Sequence, residues 1–340
     1  MKLSTRIIEK VINVGMITIL AFAAETVVCL AQTNNPAEHE RLLKTAGKKI
    51  LLTKNLNPEG KAVALPKLIN SGYAERIPVI SPDDSRIYFN RALHPLNTGA
   101  ADDLGDVWYS DLDSVTEEWM KPELLQGSVN NKGANSINGI GEKGDTIILN
   151  SAYLKNGNVG PGISYSVKKE EKWSMPVPIN IKKDQNVSSH RESFVALGIG
   201  VIITSVKRKD TFGDRDLYIS FWNGKEASEP ISMGPAINSA FDETTPYLSP
   251  DYKTLYFASK GHQGYGGFDI YVTRRLDTSW TNWSAPENLG PAINGELDEE
   301  SFIISYSNAY AYFTRQITVH NADIYSIAVN ELFLSKTHFR

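Results

Sequence analysis

The stretch Ser249-Pro250-Asp251-Tyr252-Lys253-Thr254-Leu255-Tyr256-Phe257 decides the fold, together with Asp269-Ile270-Tyr271 and then Trp283-Ser284-Ala285-Pro286 further along the chain. Pro presets φ for a turn, and the Asp after it can bond backbone further on. Leu255-Tyr256-Phe257 and Asp269-Ile270-Tyr271 are β-branched and aromatic runs separated by the Gly-rich loop Gly261 to Gly267, so they read as short strands. The Asp that opens Asp-Ile-Tyr is expected to bond the backbone of a neighbouring loop. Trp-x-x-Pro marks a further strand.

The same order recurs along the chain. The Leu-Tyr-Phe strand has counterparts at Ile87-Tyr88-Phe89, Ile147-Ile148-Leu149, Val201-Ile202-Ile203 and Ala311-Tyr312-Phe313. Asp-Ile-Tyr has counterparts at Asp106-Val107-Trp108, Gly162-Ile163-Ser164, Asp216-Leu217-Tyr218 and Asp323-Ile324-Tyr325. Trp119 to Pro122 and Trp173 to Pro176 repeat the third marker, with Glu229-Pro230 holding the place in another unit. All three markers keep a period of about 54 residues, which belongs to a propeller or solenoid. Four short strands per unit with turns between them describe a propeller blade. The expected fold is therefore all-β, a β-propeller of five blades of four antiparallel strands, with six blades as the alternative. The last unit stops after Ile327 without an outer strand. Ala64 to Asn70 resembles the ends of the other units and can supply it, closing the ring non-covalently and protecting strand edges.

These residues resemble the WD40-like repeat of the TolB-type β-propellers, with its Ser-Pro-Asp turn, Leu-Tyr-Phe strand and Asp-Ile-Tyr strand. The fourth unit matches almost throughout, and the first matches in Ser81-Pro82-Asp83 and Ile87-Tyr88-Phe89. The second and third lack Ser-Pro-Asp, and the fifth has Ser305-Tyr306-Ser307 there. The resemblance covers about residues 62 to 328. It implies the envelope of a Gram-negative bacterium and a protein-binding or scaffold role. It departs from TolB in blade number, and leaves no room for the peptidoglycan-binding domain that relatives often carry.

The totals agree with one ring. The chain has 340 residues, 41% hydrophobic and 22% charged, too apolar for a disordered chain. A formal charge of −4 argues against nucleic acid as a partner. Residues 1–31 read as a cleaved leader: Lys2, Arg6 and Lys10 precede the apolar run Val11 to Ala24, which is shorter than the roughly 20 residues of a membrane span. Cys29-Leu30-Ala31 offers small residues for cleavage before Gln32. Lipidation at Cys29 is the weaker reading, because Val28 stands where a small residue is wanted. Without the leader the chain has no cysteine, hence no disulfide and no cysteine-built zinc site. The organisation expected is leader 1–31, extension 32–61, propeller 62–328 and tail 329–340, with no transmembrane span in the mature chain. The expected place is the periplasm or cell envelope.

Acidic residues precede the first strand of four units: Glu75, Glu192, Asp242-Glu243 and Asp298-Glu299-Glu300, with Asn135-Ser136 in the second. The first strand of a blade lines the channel. Glu75, Glu192, Asp242, Glu243, Asp298 and Glu299 are therefore the candidate ligand-binding residues, a carboxylate ring at one channel mouth. No cofactor is required, though such a ring could hold Ca²⁺ through oxygen ligands. The competing reading is turn capping or pairing with Arg76 and Arg191, and the regular recurrence favours it. The expected function is a non-enzymatic envelope protein that binds a protein or peptide partner. The alternative is a carbohydrate-active hydrolase or sugar-binding propeller, whose chemistry needs two carboxyl groups about 5–9.5 Å apart, one with a raised pKa. Trp222 and Trp280 fall outside the repeat register and are expected to be exposed contacts.

Overall fold

The computed structural model describes residues 61–188, 191–318 and 320–329. The leader, Cys29 and nearly all of the extension and tail lie outside them. Within the described residues the strands form a five-bladed β-propeller.

Blade 1 comprises Glu75–Ile80, Arg86–Arg91, Asp106–Asp111 and Glu123–Leu124. Blade 3 comprises Glu192–Ala196, Val201–Val206, Asp216–Phe221 and Ile231–Ser232, and blade 4 Glu243–Leu248, Thr254–Ser259, Asp269–Arg274 and Glu287–Asn288. Blade 2 runs Ile137–Ile140, Thr146–Leu149 and Ser164–Lys169, with Lys172–Trp173 and Val177–Pro178 both pairing outside its third strand. Blade 5 contains Glu299–Ile304, Tyr310–Thr318 and Asn321–Ala328. Its outer strand is Val63–Ala64, paired antiparallel to Asn321–Ala328. The ring is thus closed by its N-terminal strand.

Packing follows the ring. Five hydrophobic clusters lie one at each blade-to-blade interface among the described residues. Ile87, Phe89 and Trp108 of blade 1 meet Tyr312 and Ile324 of blade 5, and Phe257 and Tyr271 of blade 4 meet Ile203 and Ile219 of blade 3. A strand's two faces are thereby both buried, which explains unbroken runs such as Val201-Ile202-Ile203 where strict alternation would be expected of a sheet with one wet face.

The repeat's polar markers are its fasteners. Asp106 and Asp216 accept hydrogen bonds from the backbone of their own blade's loop, at Thr98 N–H (2.6 Å) and Phe212 N–H (2.7 Å). Asn130, Asn238, Asn294 and Asn70 each present an amide to both backbone groups of the next residue in such a strand. Asn294 accepts from Ile270 N–H at 2.8 Å and donates to Ile270 C=O at 2.9 Å. Asn70 does the same to Ile324, at 2.8 and 2.9 Å, and so pins the two ends of the ring together.

Two tryptophans differ from expectation. Trp280 is only 2% exposed, packed against Trp283 and under the Arg275 guanidinium 4.0 Å above its ring. Trp222 is half-buried beside Tyr165. Lying off the repeat register, they still fill gaps between blades, because a ring indole buries more apolar surface than any smaller side chain there.

Candidate functional site

Four of the five innermost strands carry a β-bulge near their start: between Arg76 and Val79, Ile137 and Gly139, Thr244 and Tyr247, and Glu300 and Ile303. In blades 1, 4 and 5 a residue at the bulge takes a left-handed conformation: Ile77 (φ 55°), Thr245 (φ 42°) and Ser301 (φ 56°). For β-branched Ile77 and Thr245 this is unfavourable backbone that the surroundings must hold in place. They do so through neighbouring blades, since Ile77 N–H donates to Thr314 Oγ1 (3.1 Å) and Ser301 N–H to Thr245 Oγ1 (3.0 Å). Blade 3 has no bulge; Glu192 to Ala196 pairs without a break against Ser205 to Val201.

This difference sorts the six candidate residues. Glu75, Glu243 and Glu299 are fully buried. Each accepts a bond from the amide four residues back: Ser71 (2.9 Å), Ser239 (2.8 Å) and Gly295 (2.7 Å). Glu75 also pairs with Arg91 at 2.7 Å and Glu299 with Arg315 at 2.8 Å. Ser259 stands at that place in blade 4 and donates to Glu243 at 2.7 Å, so Glu243 has no cation and burial pushes it up to about 7. Asn135 fills the same role in blade 2, accepting from Asn131 N–H at 2.7 Å. These side chains brace the loop between blades. Their partners are Arg91 and Arg315 rather than the Arg76 and Arg191 suggested by sequence proximity.

Asp242 and Asp298 cap the preceding blade's loop, accepting from Arg215 N–H (3.0 Å) and Phe268 N–H (2.8 Å). Asp242 also pairs with the Arg215 guanidinium at 3.3 Å, and Asp298 faces Lys260 at 3.8 Å. Glu192 is set apart by electrostatic partners in blades that do not adjoin its own. It is half-buried and accepts from Asn150 Nδ2 of blade 2 at 2.6 Å. Ser193 and Asn138 complete that network at 2.6 and 2.7 Å.

Glu192 interacts electrostatically with Glu300 of blade 5 and with Arg76 of blade 1. Neither blade adjoins blade 3, so these groups face one another across the central channel. Surrounding protein pushes the Glu192 carboxyl up to about 8, and the Glu300 charge adds to the shift, against the opposing influence of Arg215, Arg76 and the Asn150 bond. Glu300 is itself raised by burial, with Asp298 adding to the shift, while Arg76, Arg215 and Lys260 favour its charged form. Arg76 donates to Gln316 Oε1 at 2.8 Å. At neutral pH the channel therefore presents a protonated carboxylic acid, Glu192, opposite a second carboxyl, Glu300, that two arginines attend.

The repeat in the sequence places Glu192 at this mouth. It marks Glu300 only as a neighbour of Glu299 and casts Arg76 as a pairing partner. Arg215 and Asn150 carry no signal there, since Asn150 belongs to blade 2 and Arg215 to a later loop of blade 3. Among the described residues no three His, Cys, Asp or Glu side chains gather as a metal ion would require, and no helix is long and apolar enough to cross a membrane.

No protein-family model matches the chain, and no curated protein does. Solved structures do. A glycoside hydrolase matches at 9% identity over 78% of this chain and 89% of that chain, with a TM-score of 0.52. A BT0996 RGII complex matches at 9% identity over the same shares, with a TM-score of 0.51. A glycosyl hydrolase from Bacteroides ovatus matches more loosely, at 9% identity over 82% and 95%, with a TM-score of 0.45. At such identity what is shared is the fold. The expectation of a non-enzymatic protein- or peptide-binding propeller is nevertheless overturned: the propellers of this shape that match favour the carbohydrate-active alternative.

Proposed function

We propose that the chain is a carbohydrate-active propeller that hydrolyses a glycosidic bond in its central channel, with Glu192 as proton donor and Glu300 as the second carboxyl group. The observation that carries this reading is that two carboxyl groups, Glu192 and Glu300, face one another from blades that do not adjoin. Glycoside hydrolysis needs one carboxylic acid that still holds its proton at working pH and one carboxylate. Glu192, pushed up to about 8, holds its proton at pH 7. Glu300 has Arg76, Arg215 and Lys260 to stabilise its negative form.

Each residue then has a role. Glu192 delivers its proton to the leaving-group oxygen as the C–O bond breaks. Asn150 fixes the orientation of that carboxyl. Glu300 meets the positive charge that develops on the sugar, or deprotonates the water that attacks it. Arg76 is steadied by Gln316 and favours the charged form of Glu300 against the burial that raises its pKa. Proton transfer by a positioned side chain contributes about 10²–10⁴-fold.

The chain's wider setting is part of the same reading. An exported location, with residues 1–31 as leader, would bring the channel to extracellular glycans. Kinship with the TolB-type WD40-like repeats is supported by the Ser-Pro-Asp turns, where Asp251 accepts from Lys253 and Thr254 N–H at 2.8 and 2.9 Å. The test is a screen of polysaccharides and aryl-glycosides. Turnover should fall as pH rises past about 8 and should disappear in Glu192→Gln. No turnover across the panel would sink the proposal.

A further inference from the structure

The innermost strands begin at the charged mouth and end in turns at the opposite end of the channel. Those turns meet. Tyr252, in the first turn of blade 4, donates its hydroxyl to Glu142 Oε1 of blade 2 at 3.1 Å. Tyr306, in the corresponding turn of blade 5, donates to Ile140 C=O of blade 2 at 3.4 Å. In a ring of five, blade 2 adjoins neither blade 4 nor blade 5. Both bonds therefore span the channel itself.

The remaining turns pack against these two struts. Asp84 of blade 1 accepts from Tyr306 N–H and Ser307 N–H at 2.8 and 2.9 Å, fixing the blade 5 turn. A Cβ added to Gly198 of blade 3 would stand 3.3 Å from the Tyr252 hydroxyl, and one on Gly141 would stand 3.1 Å from Leu197 of blade 3. Either contact is tighter than ordinary van der Waals distance, so the turns have no slack between them. All five turns thus take part in one stopper. Tyr306 is 39% exposed and adds nothing to a blade core; Tyr252 packs its ring against the core between blades 3 and 4 while its hydroxyl reaches across the channel.

We infer that the channel is a blind pocket, floored by Tyr252, Tyr306 and Glu142, that takes the terminal sugar of a glycan chain rather than an interior one. This rests on the glycan reading above and adds a substrate class to it. A linear polymer can lie along an open groove or thread a channel with two exits. It can enter a channel with one exit only by its end. The stopper leaves the mouth lined by Glu192, Glu300 and Arg76 as that exit.

The test uses the full mature chain and saturation-transfer NMR on linear hexasaccharides of neutral and acidic sugars, each native or capped at one or the other end. Saturation should concentrate on one terminal residue, and capping that end should weaken binding at least tenfold. In the Tyr252→Ala/Tyr306→Ala variant saturation should spread to interior residues, while Tyr252→Phe/Tyr306→Phe, which keeps the rings, should behave nearly as the parent. Saturation spread over interior sugars in the parent protein would overturn the blind pocket and leave the glycan reading standing. An absence of saturation from every sugar would overturn both. Should the alanine variant fail to fold, the parent's pattern and the capped sugars decide.

Discussion

Blade 4 and blade 3 are neighbours built on one plan, and they use the same strand position in opposite ways. Blade 4 keeps the repeat almost intact and turns its carboxylate inward: Glu243 is fully buried and accepts from Ser239 and Ser259. Blade 3 lacks the bulge and the Ser-Pro-Asp turn, and its Glu192 stands in the channel against Asn150 and across from Glu300. A bulge inserts one residue and re-aims those around it; its absence does the same in reverse. Residues that recur in every unit serve the blade. The site is assembled where units depart from the repeat.

The sharpest way to break this comparison is to neutralise both carboxyl groups separately. Glu192→Gln is expected to lower kcat by about 10²–10⁴-fold, with little loss of stability. Glu243→Gln keeps a group of the same shape against Ser239 and Ser259 and should leave kcat within about threefold, since no reacting atom lies near it. Steady-state rates on any aryl-glycoside turned over by the parent check this. Equal losses in the two variants would show that the distinction between brace and site is false.

Truncation reverses the ranking. Glu243→Ala leaves Ser239 N–H, the half-buried Ser239 hydroxyl and the buried Ser259 hydroxyl without their acceptor. Each buried orphan costs about 1–3 kcal/mol, so a loss of about 2–4 kcal/mol is expected in urea unfolding. Glu192→Ala removes a carboxyl from a crowded, half-wet position beside Glu300 and should change stability by under about 1 kcal/mol.

The contrast also explains what was legible in the sequence. The period, the five blades and the N-terminal closing strand were all readable, because turn and core residues repeat at fixed offsets. Ser81-Pro82-Asp83 and Asp269-Ile270-Tyr271 look alike wherever a blade needs them. The same regularity drew attention to Glu75, Glu243 and Glu299, whose recurrence marks a fastener. Glu192 aligned with them in sequence, yet a missing bulge changes where it points, and a single-residue register shift is invisible in a period of about 54 residues. Arg76 and Glu300 meet Glu192 only because the ring closes, which no local pattern encodes. The two channel-spanning tyrosines were hidden for the same reason. Tyr306 sits where Ser-Pro-Asp would put a proline, and its partner lies 166 residues away.

A smaller effect separates the ring's joint from its interior. Asn70 and Asn294 make the same pair of bonds to backbone, but Asn294 acts between blades joined by the chain, whereas Asn70 joins ends held only by packing and the short Val63–Ala64 pairing. Asn294→Ala should cost about 1–2 kcal/mol, and Asn70→Ala about the same in global unfolding. Only Asn70→Ala should also speed proteolysis near Val63, by roughly tenfold, because local opening there no longer breaks that clamp. Equal protease sensitivity in both variants would mean that the joint is no weaker than any other interface.

The smallest expected effect lets pH read both blades in one titration. Glu192 and Glu243 are raised to about 8 and about 7, each chiefly by burial. A carboxyl whose pKa is raised by folding binds its proton more tightly in the native state than in the unfolded one. The stability this contributes is complete below the unfolded value of about 4.5 and is lost as pH rises through the folded value. Melting temperature should therefore fall by several degrees as pH rises from about 5 to about 8, and level off above that. Glu243→Gln should remove the part of the fall that ends near pH 7, and Glu192→Gln the part that ends near pH 8. A melting temperature that rises over this range in the parent would mean that both carboxyl groups ionise freely, and would remove the proton on which the proposed role of Glu192 depends.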